Sequence, residues 1–216
     1  MNLTQLRRAI YIQTGLNVND GLVTPEVLNS FVNRALHAYE AEGGWPWLQC
    51  SEVIPTVSGV DTYTPGAYVT NPLWDWNRTS ELRVMQNEAD VIEWKSPTEL
   101  DDKWNFDDIG PPEDFTIFSD QIVLRPIPDG AYNILHRFER AEIDLVAETD
   151  VPTLPPQFHE VLVEYGSYLV FRRSRETERM QEALNAYNAW IAKMRARSLR
   201  RADLPGRVRV RKYGWL

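Results

Sequence analysis

Apolar residues recur at helical spacing towards both ends of this sequence and alternate, in short runs, between them. Leu3, Leu6, Ile10 and Ile12 mark the inward face of a helix over residues 2–14, with Gly15 as its stop. Thr24-Pro25 places a capping residue before proline at a first helical position, and Val27, Leu28, Phe31, Ala35, Leu36 and Tyr39 supply the apolar face that follows. Gly43-Gly44 ends this second helix, and Trp45-Pro46-Trp47-Leu48 takes the chain out of it. Pro155-Pro156 opens a third pattern, in which Phe158, Val161, Leu162, Tyr165, Leu169 and Val170 share a face. Gly166 and Ser167 lie inside that run, small enough to let a neighbouring helix come close. After the polar break Arg175–Glu178, Met180, Leu184, Tyr187, Ile191 and Met194 alternate gaps of four and three, the seam of a helix packed lengthwise on a partner.

The middle of the chain changes period. Glu52–Thr56 and Val60–Thr64 read as short strands on either side of Ser58-Gly59. Gly66–Ser80 is a long irregular segment containing Trp74 and Trp76. Glu81–Met85 and Val91–Trp94 form a hairpin turning at Asn87. Ser96-Pro97-Thr98-Glu99 is a capping box that starts a short helix reaching about Trp104. Strands follow near Phe115–Phe118 and Ile122–Arg125, the second closed by Pro126 and Pro128, and a last strand spans Ala131–Glu139. The pattern predicts an α+β fold: an antiparallel helical bundle with a β-rich insertion between its second helix and its C-terminal hairpin. The expected division is 1–48 for the N-terminal helices, 49–150 for the insertion, 151–201 for the hairpin and 202–216 for an extended basic arm.

Charge sharpens the picture at that arm. The net charge is −8, yet from Lys193 onward nine Lys and Arg stand against one Asp, leaving a strongly acidic body. An acidic body repels nucleic acid and membrane phosphates, whereas a basic tail seeks an acidic surface. Valines between the arginines and the ending Tyr213-Gly214-Trp215-Leu216 suit a docking segment better than a merely solubilising tail. One cysteine, Cys50, allows no internal disulfide. No apolar run is long enough for a membrane helix and the first residues lack a signal-peptide core, so a protein made and used without export is expected.

Catalytic chemistry is scarce. His159-Glu160 could open a zinc-binding helix, but Val163 stands where the second histidine is required. A partly exposed histidine at a helix start is the expectation there. His37 and His136 fall in a helix and a strand with no serine or cysteine motif attached. Asp101-Asp102 and Asp107-Asp108 read either as metal-binding carboxylates or as an acidic helix and its exit loop. The residues predict no enzyme, no metal and no cofactor. Six of the eight tryptophans lie between Trp45 and Trp104. Exposed, they would stack on sugars; buried, they would fill a core or an interface, which the shortage of other large apolar residues there favours.

The order of these parts resembles the head-to-tail adaptor proteins of tailed bacteriophages, also called connector or head-completion proteins. The resemblance rests on Trp45-Pro46-Trp47-Leu48, on Gly110-Pro111-Pro112 leading to Phe115 and then Ile122–Pro128, and on Leu154-Pro155-Pro156 leading to Phe158-His159. It covers roughly residues 2–200. It implies a structural virion protein at the head–tail interface, made in the host cytoplasm. It further implies a ring, typically of twelve copies, beneath the portal protein, through which packaged DNA passes without sequence-specific binding. A downstream tail or nozzle protein would be the next partner. The arm would dock on the portal through Arg207, Arg209, Arg211, Lys212, Tyr213, Trp215 and Leu216. Two other readings stay open. One is a glycan-binding module using Trp74, Trp76, Trp94 or Trp104; the other is a DNA-binding protein using the basic tail.

Overall fold

The computed structural model describes residues 1–16, 21, 23–65, 79–85, 91–119 and 121–202. They form a mixed helix-and-sheet architecture with five α-helices and a seven-stranded sheet. The chain divides into two compact units: Met1–Trp47 with the chain from Asp144 onward, and Leu48–Ile143.

The first unit is helical. Helix α1 (Leu3–Thr14) begins with a capping box, in which Asn2 Oδ1 accepts from the Gln5 amide at 2.9 Å and Gln5 Oε1 accepts from the Asn2 amide at 3.0 Å. Gly15, at φ 71°, closes it in the left-handed conformation that glycine adopts freely. Leu3, Leu6 and Ile10 are buried, but Ile12 is 73% exposed. At about 100° per residue, position 12 lies on the far side of the helix from Ile10, so it cannot share the inward stripe. Helix α2 (Pro25–Ala41) starts from Thr24 and buries Leu28, Phe31, Val32, Ala35, Leu36 and Tyr39.

Helix α4 (Glu160–Ser174) follows a 3₁₀ turn at Pro156–Phe158 and packs against α1, α2 and α5 (Thr177–Ala202). Its buried residues Val161, Leu162, Val163, Leu169, Val170 and Phe171 lie around much of its circumference, as a central helix requires. Gly166 lies against α1: a β-carbon there would lie 2.5 Å from Ile10 Cδ1. Helices α4 and α5 run antiparallel. Arg179 lies over Phe171, Tyr187 meets Tyr165 and Arg197 lies over Phe158, so numbers fall along one helix as they rise along the other.

Aromatic rings tie the ends of these helices together. Tyr39 meets Trp45 edge-on at 6.2 Å, Trp45 stacks on Trp47 at 5.1 Å, and Trp47 packs on Phe158 at 5.6 Å. Trp45 Nε1 donates to the Tyr39 carbonyl at 2.7 Å, which satisfies the one polar atom of a buried indole. Two of the motifs that carry the resemblance therefore touch.

The second unit is built on a sheet. Its strands are β1 (Gln49–Pro55), β2 (Thr62–Tyr63), β3 (Thr79–Val84), β4 (Val91–Trp94), β6 (Asp114–Phe118), β7 (Gln121–Arg125) and β9 (Asn133–Glu139), in the order β1-β9-β3-β4-β6-β7-β2. Among the described residues of this sheet β4 and β6 alone pair in parallel, and helix α3 (Pro97–Lys103) lies in the crossover between them. Short strands β5 (Ile109–Gly110) and β8 (Ile127–Pro128) also pair in parallel, in a separate small sheet. Alternation buries Ile54, Leu82, Val84, Ile92, Phe115, Ile122, Leu124 and Ile134 together with Tyr63. Glu52 and His136 face each other across β1 and β9, both buried, with Glu52 Oε1 at 2.8 Å from His136 Nδ1. Thr79 Oγ1 approaches the other ring nitrogen at 3.1 Å, so the buried imidazole is partnered on both sides. Strands β3 and β4 pair as expected, while their turn, and all but the last two residues of the irregular segment, lie outside the described residues.

Candidate interaction surfaces

Among the described residues no group of His, Cys, Asp or Glu could hold a metal ion. The carboxylates of Asp107 and Asp108 belong to a turn: Asp108 Oδ2 accepts from the Asn105 amide at 2.8 Å, and the Asp108 amide donates to the Asn105 carbonyl at 3.2 Å. His159 sits at the start of α4 but is only 1% exposed. Its Nε2 lies 2.8 Å from the Leu154 carbonyl, and its Nδ1 meets the Met1 amino group. The chain before the helix folds over the ring, so the expectation of partial exposure is overturned. Burial lowers its pKa below the usual imidazole value, against the Leu154 hydrogen bond.

The tryptophans divide by environment. Trp104 Nε1 donates to the buried carboxylate of Asp114 at 2.7 Å, and Lys103 Nζ lies 4.9 Å from the indole ring. The polar edge of that indole is therefore satisfied within the protein. Trp94 is 59% exposed. Trp74 and Trp76 lie outside the described residues.

Helix α5 carries the first residues of the basic C-terminal stretch. Lys193 stacks on Trp190 at 3.9 Å, Arg195 pairs with Glu42 at 2.5 Å, and Arg197 lies 6.0 Å from the Phe158 ring centroid. Arg195 and Arg197 anchor the helix to its own unit, whereas Lys193 and Trp190 both belong to α5. The residues expected to dock on the portal, Arg207, Arg209, Arg211, Lys212, Tyr213, Trp215 and Leu216, lie outside the described residues.

Two further surfaces escaped the sequence pattern. Arg34 on α2 and Arg172 and Arg173 on α4 converge with Phe31 and Leu169 around an open groove of about 280 Å³. None of the three guanidinium groups has an ion-pair or hydrogen-bond partner among the described residues. The Arg172-Arg173 doublet stands just before the polar break at Arg175–Glu178 and carries no pattern of its own. Arg34 lies well over a hundred residues earlier, and only the packing of α2 on α4 brings it there. The other surface is the Asn105–Asp108 turn, which holds Phe106 outward at 73% exposure. Its base is pinned where the Ile127 amide donates to the Asp108 carbonyl at 2.8 Å and β5 pairs with β8. A lone exposed apolar residue is ordinary, but an aromatic ring on a braced turn is a preorganised contact.

No helix among the described residues is long and apolar enough to cross a membrane. No curated protein matches the chain. The model of the SU10 adaptor protein family matches residues 1–211, and the chain belongs to that family.

Proposed function

We propose that this protein is a structural adaptor of a tailed-phage virion, joining head to tail as a ring beneath the portal. The family match over residues 1–211 carries the reading, since it spans both compact units and reaches into the basic arm. In this reading residues 1–48 and 151–201 form the bundle that packs between neighbours, and 49–150 form an insertion facing the channel or the next tail component. The ring has twelve copies and extends the DNA channel, where an acidic body keeps the cargo from sticking. The arm, residues 202–216, docks on the portal through its arginines and terminal aromatics.

Native mass spectrometry of the protein mixed with the portal ring of the same phage tests this. Full-length chain and a chain ending at residue 202 are run side by side. A fixed number of full-length copies per portal, lost on truncation, is the expected result. Binding by both forms would move the contact onto the helical body. Binding by neither would sink the portal-adaptor reading.

A further inference from the structure

We propose that the arginine groove of one copy receives the Phe106 turn of a second copy of this chain. The inference rests on the ring reading above and names the contact between neighbours. Each surface is a small apolar centre flanked by charge, positive at the groove and mostly negative at the turn, where Lys103 is already paired with the buried Asp114. Around Phe31 and Leu169 stand Arg34, Arg172 and Arg173, while within eight residues of Phe106 and Ile109 along the chain come Asp101, Asp102 and Asp107. These three aspartates are exposed, and like the arginines their side chains have no partner among the described residues. Phe106 and Ile109 are 73% and 66% exposed.

Positive side chains at a helix C-terminus have a simpler explanation, since they complement the helix dipole. That explanation covers Arg172 and Arg173 in the last turn of α4 but not Arg34, which is in the middle of α2. An aromatic ring entering the groove would meet Phe31 and Leu169 below and guanidinium faces at the sides, an arrangement in which cation–π contact and apolar burial act together. The flanking aspartates would then reach the same guanidinium groups, setting register and partner. Because groove and turn are different surfaces, one copy offers both. The contact is therefore heterologous, the type that repeats from subunit to subunit until it closes.

Disulfide trapping between copies tests the contact. Two chains are made in a Cys50→Ser background, one with Asp107→Cys and the other with Arg173→Cys. All three sites are at least partly exposed, so the fold should be retained, which melting curves check. The two chains are mixed in equal amounts and mildly oxidised. The expected result is mixed dimer in clear excess over random pairing. Adding Arg34→Glu and Arg172→Glu to the second chain should abolish the excess, and adding Asp101→Arg and Asp102→Arg to the first should restore it. Mixed dimer at the random level overturns the proposal.

Portal attachment of a chain carrying only the two glutamate substitutions is read separately. Attachment retained with trapping at the random level discards this contact and leaves the adaptor reading intact. Strong trapping with no portal attachment by the unsubstituted chain supports the contact and removes the portal role. Random trapping with attachment lost assigns the groove to the portal, which also overturns the self-contact.

Discussion

At Gly166 an added β-carbon would lie 2.5 Å from Ile10 Cδ1 and 3.2 Å from its Cγ1, and Ile10 is fully buried with little room to turn aside. Replacing glycine by alanine inside a helix gains about 1 kcal/mol of propensity, while forcing a methyl group into a packed core costs about 1–3 kcal/mol. Gly166→Ala is therefore expected to lower stability in the native background and to be harmless or favourable with Ile10→Val, a coupling that a denaturant double-mutant cycle would read. Additive effects would show that the two helices part without strain. Two histidines carry a second prediction at this scale. Burial pulls His37 down, but hydrogen bonds and charge from Glu40 and Asp144 outweigh it, so its pKa is raised. His159 is lowered. A raised histidine stabilises the fold at pH values below the ordinary imidazole pKa of about 6.5, and that contribution is lost as pH climbs through the folded value. A lowered one contributes above the ordinary pKa and loses the contribution as pH falls through its own folded value. The melting gap between wild type and His37→Gln should thus be widest in acid and fade in alkali, with His159 drifting the opposite way in an NMR titration.

Among the elements, helix starts were the most legible part of the sequence. Thr24-Pro25, the Ser96–Glu99 box and the Gly15 stop all act within one turn of themselves, so local chemistry is enough to place them. Ser96 Oγ accepts from the Glu99 amide at 3.4 Å while Glu99 Oε2 accepts from the Ser96 amide at 2.9 Å. Ser96→Ala is expected to cost about 1 kcal/mol, visible as a lower denaturant midpoint with an unchanged slope. Beyond the local pairing of β3 with β4, strand pairing was not legible. β1 and β2 flank Ser58-Gly59 in sequence, yet they stand at opposite edges of the sheet, paired with β9 and β7. Alternation tells which face of a strand is buried and says nothing of which strand lies beside it. The parallel pairing of β4 with β6 across α3 was hidden for the same reason. The arginine groove was hidden because exposed arginines on two helices follow no period that marks them.

For the whole molecule, the separation of an acidic body from a basic C-terminal stretch was readable directly, since charge can be counted without a fold. The described residues end at 202, with α5 already held to its own unit by Arg195 and Arg197. Removing residues 203–216 should therefore leave the melting midpoint unchanged while portal attachment is lost; a large drop in the midpoint would make the arm part of the fold. The pairing of β1 with β9 has another consequence, which concerns the order of events during synthesis. Helices α1 and α2 emerge early, but α4, on which both pack, begins only at Glu160, after the whole stretch Leu48–Ile143. Once that stretch closes on itself, the Arg140 amide donates to the Leu48 carbonyl at 2.9 Å, and its two ends are neighbours. The waiting helices then need to close a gap of about 27 residues instead of a loop of about 118, which on the logarithmic rule spares roughly 1 kcal/mol of chain entropy. The sheet thereby acts as a clasp on the nascent chain, fastened before the last helices arrive.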